Sequence, residues 1–127
     1  MTEIAANKHR VVVLGASANP DRYSNKAVLM LLEYGHEVIP VHPMATEIEG
    51  LKVVAKLSQV TGKIDTLTLY LSPESLTPMQ ADIIALNPGR VIFNPGTENK
   101  PLMQELRQHG LKVVEACTLV LLRTGQF

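Results

Sequence analysis

The run Gly15-Ala16-Ser17-Ala18-Asn19-Pro20-Asp21-Arg22-Tyr23-Ser24 combines the residue types suited to holding a phosphate. Gly15 permits a turn that other residues resist, and Ala16 and Ala18 leave the backbone open to close approach. The hydroxyls of Ser17 and Ser24 can donate hydrogen bonds, and Arg22 can fork onto phosphate oxygens. Such a site also uses the unpaired N–H groups at a helix N-terminus, so the run is expected to lead from a strand into a helix. The same residues suit an ordinary strand-to-helix loop, with Asn19 and Pro20 as turn residues and Arg22 in solvent.

Neither common nucleotide signature is complete. A dinucleotide fingerprint wants glycine at each position of G-x-G-x-x-G, where this chain has Gly15, Ser17 and Pro20. It also wants an acid at the end of the second strand, where His42 stands. Glu37 lies at that strand's opposite end, roughly 13 Å away at about 3.3 Å per residue. No helix opens with Gly-Lys-Ser or Gly-Lys-Thr, which excludes a Walker loop. Of the histidines, only His42 falls at a strand's carboxyl end, where it is a candidate acid or base, while His36 and His109 read as surface residues at element boundaries. Asp21, Glu74 and Glu98 fall at helix starts, where carboxylates offset the dipole, and no pair of them has an acid/base arrangement. No catalytic residue and no metal ligand is assigned.

The elements that must carry these groups alternate. Arg10 to Leu14 is a β-branched run ending at Gly15, and Ser24 to Tyr34 has apolar residues at helical spacing, with Ser24 as N-cap and Gly35 after the last turn. His36 to Val41 is a second strand, stopped before Pro43. From Met44 to Gly62 the pattern is less regular, with a short extended piece at Leu51 to Val54 and a helical turn at Leu57 to Val60. Asp65 to Leu71, Arg90 to Phe93 and Leu111 to Val114 read as strands, and Pro73 to Leu86 and Lys100 to His109 as helices. The tail from Thr118 to Leu122 reads as a helix packed on the sheet, with an oligomer contact as the alternative. This order predicts an α/β, three-layer Rossmann-like fold with a mainly parallel five-stranded sheet, residues 1–127 forming one domain. Ligands bind such sheets beyond the carboxyl ends of the strands. That rule selects Gly15 to Ser24, His42 to Met44, Ser72 to Glu74 and Asn94 to Glu98.

Composition narrows the function classes. Lys plus Arg number 12 and Asp plus Glu number 12, so no net field draws the chain to nucleic acid or an anionic membrane. Cys117 is the lone cysteine, so no intramolecular disulfide forms and a cytoplasmic, reducing location is expected. Met1 to Lys8 hold no signal-like apolar run, and no later stretch approaches the roughly 20 apolar residues that span a bilayer.

Gly-Ala-Ser-x-x-Pro-x-Arg-x-Ser at Gly15 to Ser24, read with Val-Ile-Pro-Val-His-Pro at Val38 to Pro43, resembles the small CoA-binding-domain proteins. These are similar to the CoA-binding domain of the succinyl-CoA synthetase α subunit and of ADP-forming acyl-CoA synthetases. The resemblance runs on through Glu47 to Gly50, Ile64-Asp65, Asn94 to Gly96 and Gly110 to Val114, ending near Cys117. It implies coenzyme A or an acyl-CoA as ligand, its pyrophosphate on Gly15, Ala16, Ser17, Ala18, Asn19, Arg22 and Ser24. It further implies that Val41, His42 and Pro43 line the nucleotide side, that Leu71, Ser72 and Pro73 flank the adenine, and that Phe93, Asn94, Pro95 and Gly96 border the pantetheine path. Many relatives carry a lysine after the second-strand proline, where this chain has Met44 and Ala45, which leaves Lys26, Lys52 or Lys100 to compensate. Cys117 matches a cysteine common in the family. Beside a CoA thiol it would permit a mixed disulfide, whereas a lone cysteine ordinarily serves as a small buried hydrophobe. The leading expectation is a cytosolic CoA-binding module without catalysis of its own, its partners being a small-molecule nucleotide and either a second copy or an acyl-CoA synthetase-like subunit. The competing one is a detached subunit of an acyl-CoA ligase or another small nucleotide-dependent enzyme.

Overall fold

The structure, a computed structural model, describes residues 8–127. The expectation drawn from Met1 to Lys8 therefore concerns residues 1–7, which lie outside the described residues. The elements are β1 (Arg10–Leu14), α1 (Tyr23–Glu33), β2 (Glu37–Val41), β3 (Glu47–Ile48), β4 (Leu51–Lys52), β5 (Thr66–Leu69), α2 (Pro73–Leu76), α3 (Gln80–Leu86), β6 (Arg90–Phe93), α4 (Lys100–Gln108), β7 (Val113–Glu115) and α5 (Thr118–Arg123). The strands form a five-stranded sheet in the order β2-β1-β5-β6-β7, and a separate hairpin pairs β3 with β4. Every pairing in the large sheet is parallel, which gives the expected Rossmann-like α/β fold.

Strand alternation sorts the core into two layers. Val12, Leu14, Leu67, Leu69, Val91 and Phe93 pack with Leu76, Ile83, Leu102, Met103 and Leu106 of α2, α3 and α4. Val11 and Val13 face the other way, onto Val28 and Leu31 of α1 and Leu122 of α5. The tail helix is thus packed against α1 on the sheet. Among the described residues no helix is long and apolar enough to cross a membrane.

Several boundaries differ from the sequence reading. Helix α1 starts at Tyr23 with Arg22 as its N-cap residue, so Ser24 is not the cap but lies buried in the first turn. The expected helix from Pro73 to Leu86 is broken by a 3-10 turn at Thr77–Met79. Pro78 lacks the N–H that would reach the Glu74 carbonyl, and its ring crowds that oxygen. The last strand is displaced to Val113–Glu115 because Leu111 closes α4, donating its N–H to the Leu106 carbonyl at 3.1 Å. The irregular stretch contains the β3–β4 hairpin, whose tip residues Glu49 and Gly50 both have positive φ, 49° and 77°, as a tight hairpin turn requires.

His36 is also placed differently: it is buried, and its Nδ1 accepts the His9 backbone N–H at 3.0 Å. Both rings pack near Phe127, and the Arg90 guanidinium lies over the Phe127 ring at 4.5 Å. Burial lowers the pKa of both imidazoles, helped at His36 by His9 and Arg90 and at His9 by Arg90, with Asp65 opposing. Below the ordinary histidine value of about 6.5 the unfolded chain therefore binds more protons than the folded one. Stability should be whole above about pH 6.5 and fall as the pH drops through the lowered folded values. Melting curves between pH 7.5 and 5 should show this fall, and His36→Gln, which can still accept the His9 N–H, should reduce it.

Candidate functional site

The strand order places β1 between β2 and β5. The chain leaves β1 toward β2 on one side and leaves β5 toward β6 on the other, which opens a crevice at the carboxyl ends of β1 and β5. Gly15 sits in that crevice with φ +86°, and a Cβ there would come within 2.8 Å of the Tyr70 carbonyl oxygen and 2.9 Å of Leu71 Cδ2. Only glycine fits. The Gly15 and Ala16 amides both donate to the Val41 carbonyl, at 3.2 and 3.3 Å. They extend the sheet instead of facing a ligand, so anion donors must come from farther along, from the loop after Ala16 and the first turn of α1.

The first turn of α1 has no side-chain cap for its N–H groups, Arg22 providing none, and no acid lies in it. By contrast, Ser72 caps α2, with Glu74 in its first turn, and Asn99 caps α4. A cation at the positive end of an 11-residue helix is unfavourable unless a negative group joins it. Neither ion pair among the described residues involves Arg22. The loop tip is folded by its own side chains, Ser17 Oγ accepting the Asn19 N–H and Asn19 Oδ1 the Asp21 N–H, both at 3.0 Å. Beneath it, fully buried Asn25 donates to the Ser17 carbonyl and to Glu49 Oε2, both at 2.9 Å. The hairpin tip, held in a left-handed conformation at Glu49, thereby props the loop between β1 and α1 from below.

Three adjoining cavities follow the crevice. The central one, about 410 Å³, is lined by Gly15, Ala16, Ser17, Arg22, Tyr23, Ser24, His42, Tyr70 and Leu71. It shares Tyr23 and Tyr70 with a cavity of about 280 Å³ that includes Asn94, Pro95, Cys117 and Leu119. On its other side it shares Gly15, His42 and Leu71 with one of about 450 Å³ that includes Leu14, Val41, Pro43, Lys56, Leu57, Met79 and Asp82. His42 Nδ1 accepts the Met44 and Ala45 amides, both at 3.0 Å. With Nδ1 accepting, Nε2 is the donor, and the ring organises the loop after β2.

The other expected residues lie outside these cavities. Ala18, Asn19 and Gly96 are on exposed turns, and Ser72, with Pro73 behind it, caps α2 through the Ser75 N–H at 3.3 Å. Phe93 is 1% exposed and packs in the core, because alternation turns it toward α4. Asn94 borders the cavity beside Cys117, but its amide is engaged: Nδ2 donates to Thr68 Oγ1 at 2.7 Å and the Leu69 carbonyl at 2.8 Å, while Oδ1 accepts the Thr118 N–H at 2.9 Å. Tyr23 and Tyr70, which the sequence reading did not select, wall two cavities each. The buried Tyr70 hydroxyl lies near Thr68 and Thr118, but no partner meets hydrogen-bonding geometry. Burial first, and then the neighbouring Cys117, pushes its pKa well above the usual phenol range, against the pull of Thr118 and Thr68. Cys117 is a half-buried free thiol.

A family model described as CoA binding domain matches residues 9–123. The uncharacterized protein YneT of Bacillus subtilis (strain 168) is 29% identical over 112 residues, covering 88% of this chain and 83% of that protein. The crystal structure of an uncharacterized protein superposes with a TM-score of 0.90 at 38% identity, over 95% of this chain and 99% of that one. The apo form of the dinucleotide forming acetyl-coenzyme A synthetase 1 of Ca. Korarchaeum cryptofilum superposes with a TM-score of 0.69 at 26% identity, over 84% of this chain and 26% of that one.

Proposed function

The chain belongs to the CoA binding domain family, and from that premise we propose that it binds coenzyme A or an acyl-CoA with the pyrophosphate on the loop between β1 and α1. The observation that carries this reading is the start of α1, uncapped, without an acid and headed by Arg22, opening on the Gly15 crevice. Arg22, the Ser17 and Ser24 hydroxyls and the first-turn amides meet the two phosphates. The adenosine follows Val41, His42, Pro43 and Leu71, with Ser72 and Pro73 at the rim. The pantetheine follows Tyr23, Tyr70, Asn94 and Pro95 toward Cys117, with Gly96 beyond and Phe93 supporting from the core. The lining on that side carries no Asp, Glu, Lys or Arg, which suits an uncharged arm.

The role is that of a binding module for CoA. A second reading, a detached part of an acyl-CoA ligase, is favoured by the resemblance to 26% of a larger synthetase chain. The two differ in whether a separate nucleotide-activating subunit is needed for turnover.

Melting temperature in the presence of CoA, acetyl-CoA, ADP, NAD and NADP tests the ligand. At a hundredfold excess over Kd, binding to the native state alone adds about 2.7 kcal/mol, on the order of 10 °C for a chain of this size. CoA and acetyl-CoA should give the largest shifts and ADP a smaller one. Stabilisation by NAD but not by CoA would contradict the proposal.

A further inference from the structure

We propose that Lys56 binds the phosphate on the ribose of the ligand's adenosine and so makes the chain prefer CoA to dephospho-CoA; this rests on the CoA reading above. The two outer cavities differ in charge. The one beside Cys117 is lined by Tyr23, Tyr70, Asn94, Pro95, Cys117 and Leu119, whereas the other is an apolar hollow carrying Lys56 and Asp82. A ligand with a central pyrophosphate, one uncharged arm and one phosphorylated nucleoside arm fits these hollows in one orientation, its charged end beside Lys56.

The fold brings Lys56 there through space. Val54 forms a parallel bridge to Val41, its N–H donating to the Pro40 carbonyl while His42 donates to the Val54 carbonyl. This lays the segment after Val54 along the outer edge of β2, beside His42. Lys56 then caps a 3-10 turn anchored by buried Leu57, so its backbone is held while its side chain remains exposed. Neither ion pair among the described residues uses Lys56. The lysines first expected in such a role stand elsewhere. Lys26 reaches the Pro20 carbonyl, Lys100 pairs with Glu115, and Lys52 borders a different hollow with Arg10. Asp82, a carboxylate on the α3 wall, repels a phosphate from that side and favours its placement toward Lys56.

Calorimetric titration of CoA and of dephospho-CoA into the wild-type chain, Lys56→Ala and Lys56→Arg reads this directly. The wild type should prefer CoA by about tenfold, the range of an exposed charge-assisted contact. Lys56→Ala should lose that preference by weakening CoA alone, and Lys56→Arg should keep most of it. An unchanged preference in Lys56→Ala, or an equal weakening of both ligands, overturns the assignment while leaving CoA binding intact. Equal binding of both ligands by the wild type does the same. Failure of the wild type to bind either ligand overturns the CoA reading and this inference together.

Discussion

Gly15→Ala should destabilise the chain by about 2–5 kcal/mol and abolish ligand binding in whatever fraction remains folded. About 1–2 kcal/mol comes from holding an L-residue at the left-handed φ of +86°. A further 1–3 kcal/mol comes from the new Cβ, which meets the Tyr70 carbonyl oxygen at 2.8 Å. Because that oxygen is backbone at the end of β5, relief requires parting β1 from β5 at the crevice. Gly96→Ala is the matched control, with φ +92° but nothing within 4 Å, so only the conformational cost of about 1–2 kcal/mol applies. Urea denaturation of the two variants beside the wild type measures the difference. Equal losses would show that the crevice yields without cost.

Asn94→Ala should cost about 3–5 kcal/mol. Its amide ties together β5, β6 and the start of α5, and the residue is 2% exposed. Truncation leaves the Thr118 N–H and the Leu69 carbonyl without this partner in a site that water reaches poorly, at about 1–3 kcal/mol for each unsatisfied group. Asn94→Asp should be no better, since it keeps the acceptor, loses both donors and buries a charge. Equilibrium unfolding checks both variants. A loss below about 1 kcal/mol for Asn94→Ala would mean that other groups satisfy the network.

These positions also mark how far the sequence could be read. The parallel sheet, its order of elements and the crevice beside Gly15 follow from local signals: β-branched runs, helical spacing and a glycine after the first strand. His42 and Pro43, which border the cavities, follow from the rule that such sheets bind ligands at strand ends, whereas Leu71 comes from the family resemblance alone. Phe93, which the resemblance alone implies, ends its strand and still obeys the alternation, and it turns into the core. Asn94 reads from sequence as a ligand neighbour, yet its side-chain amide bonds partners 24 to 26 residues away, a connection with no local trace.

The residues not selected share this long-range character. Asn25 reads as a helix residue until Glu49, 24 positions later, folds back onto it. Lys56 reads as part of an irregular stretch until the Val41–Val54 bridge sets it beside β2. Tyr23 and Tyr70 become neighbours of one crevice only once β1 and β5 pair. Ser24 reads as the N-cap from sequence because serine favours that position. The helix instead begins at Tyr23 after Arg22, an N-cap residue without a side-chain cap bond, which leaves the positive end of its dipole available to an anion.

Titration of CoA into the wild-type chain and into Arg22→Ala tests the central claim most directly, because Arg22 is exposed and its loss should leave the fold intact. With the pyrophosphate at the start of α1, Arg22→Ala should weaken CoA by about 1.5–3 kcal/mol, roughly 10- to 150-fold in Kd. Unchanged affinity in Arg22→Ala would move the pyrophosphate away from this loop and contradict the account.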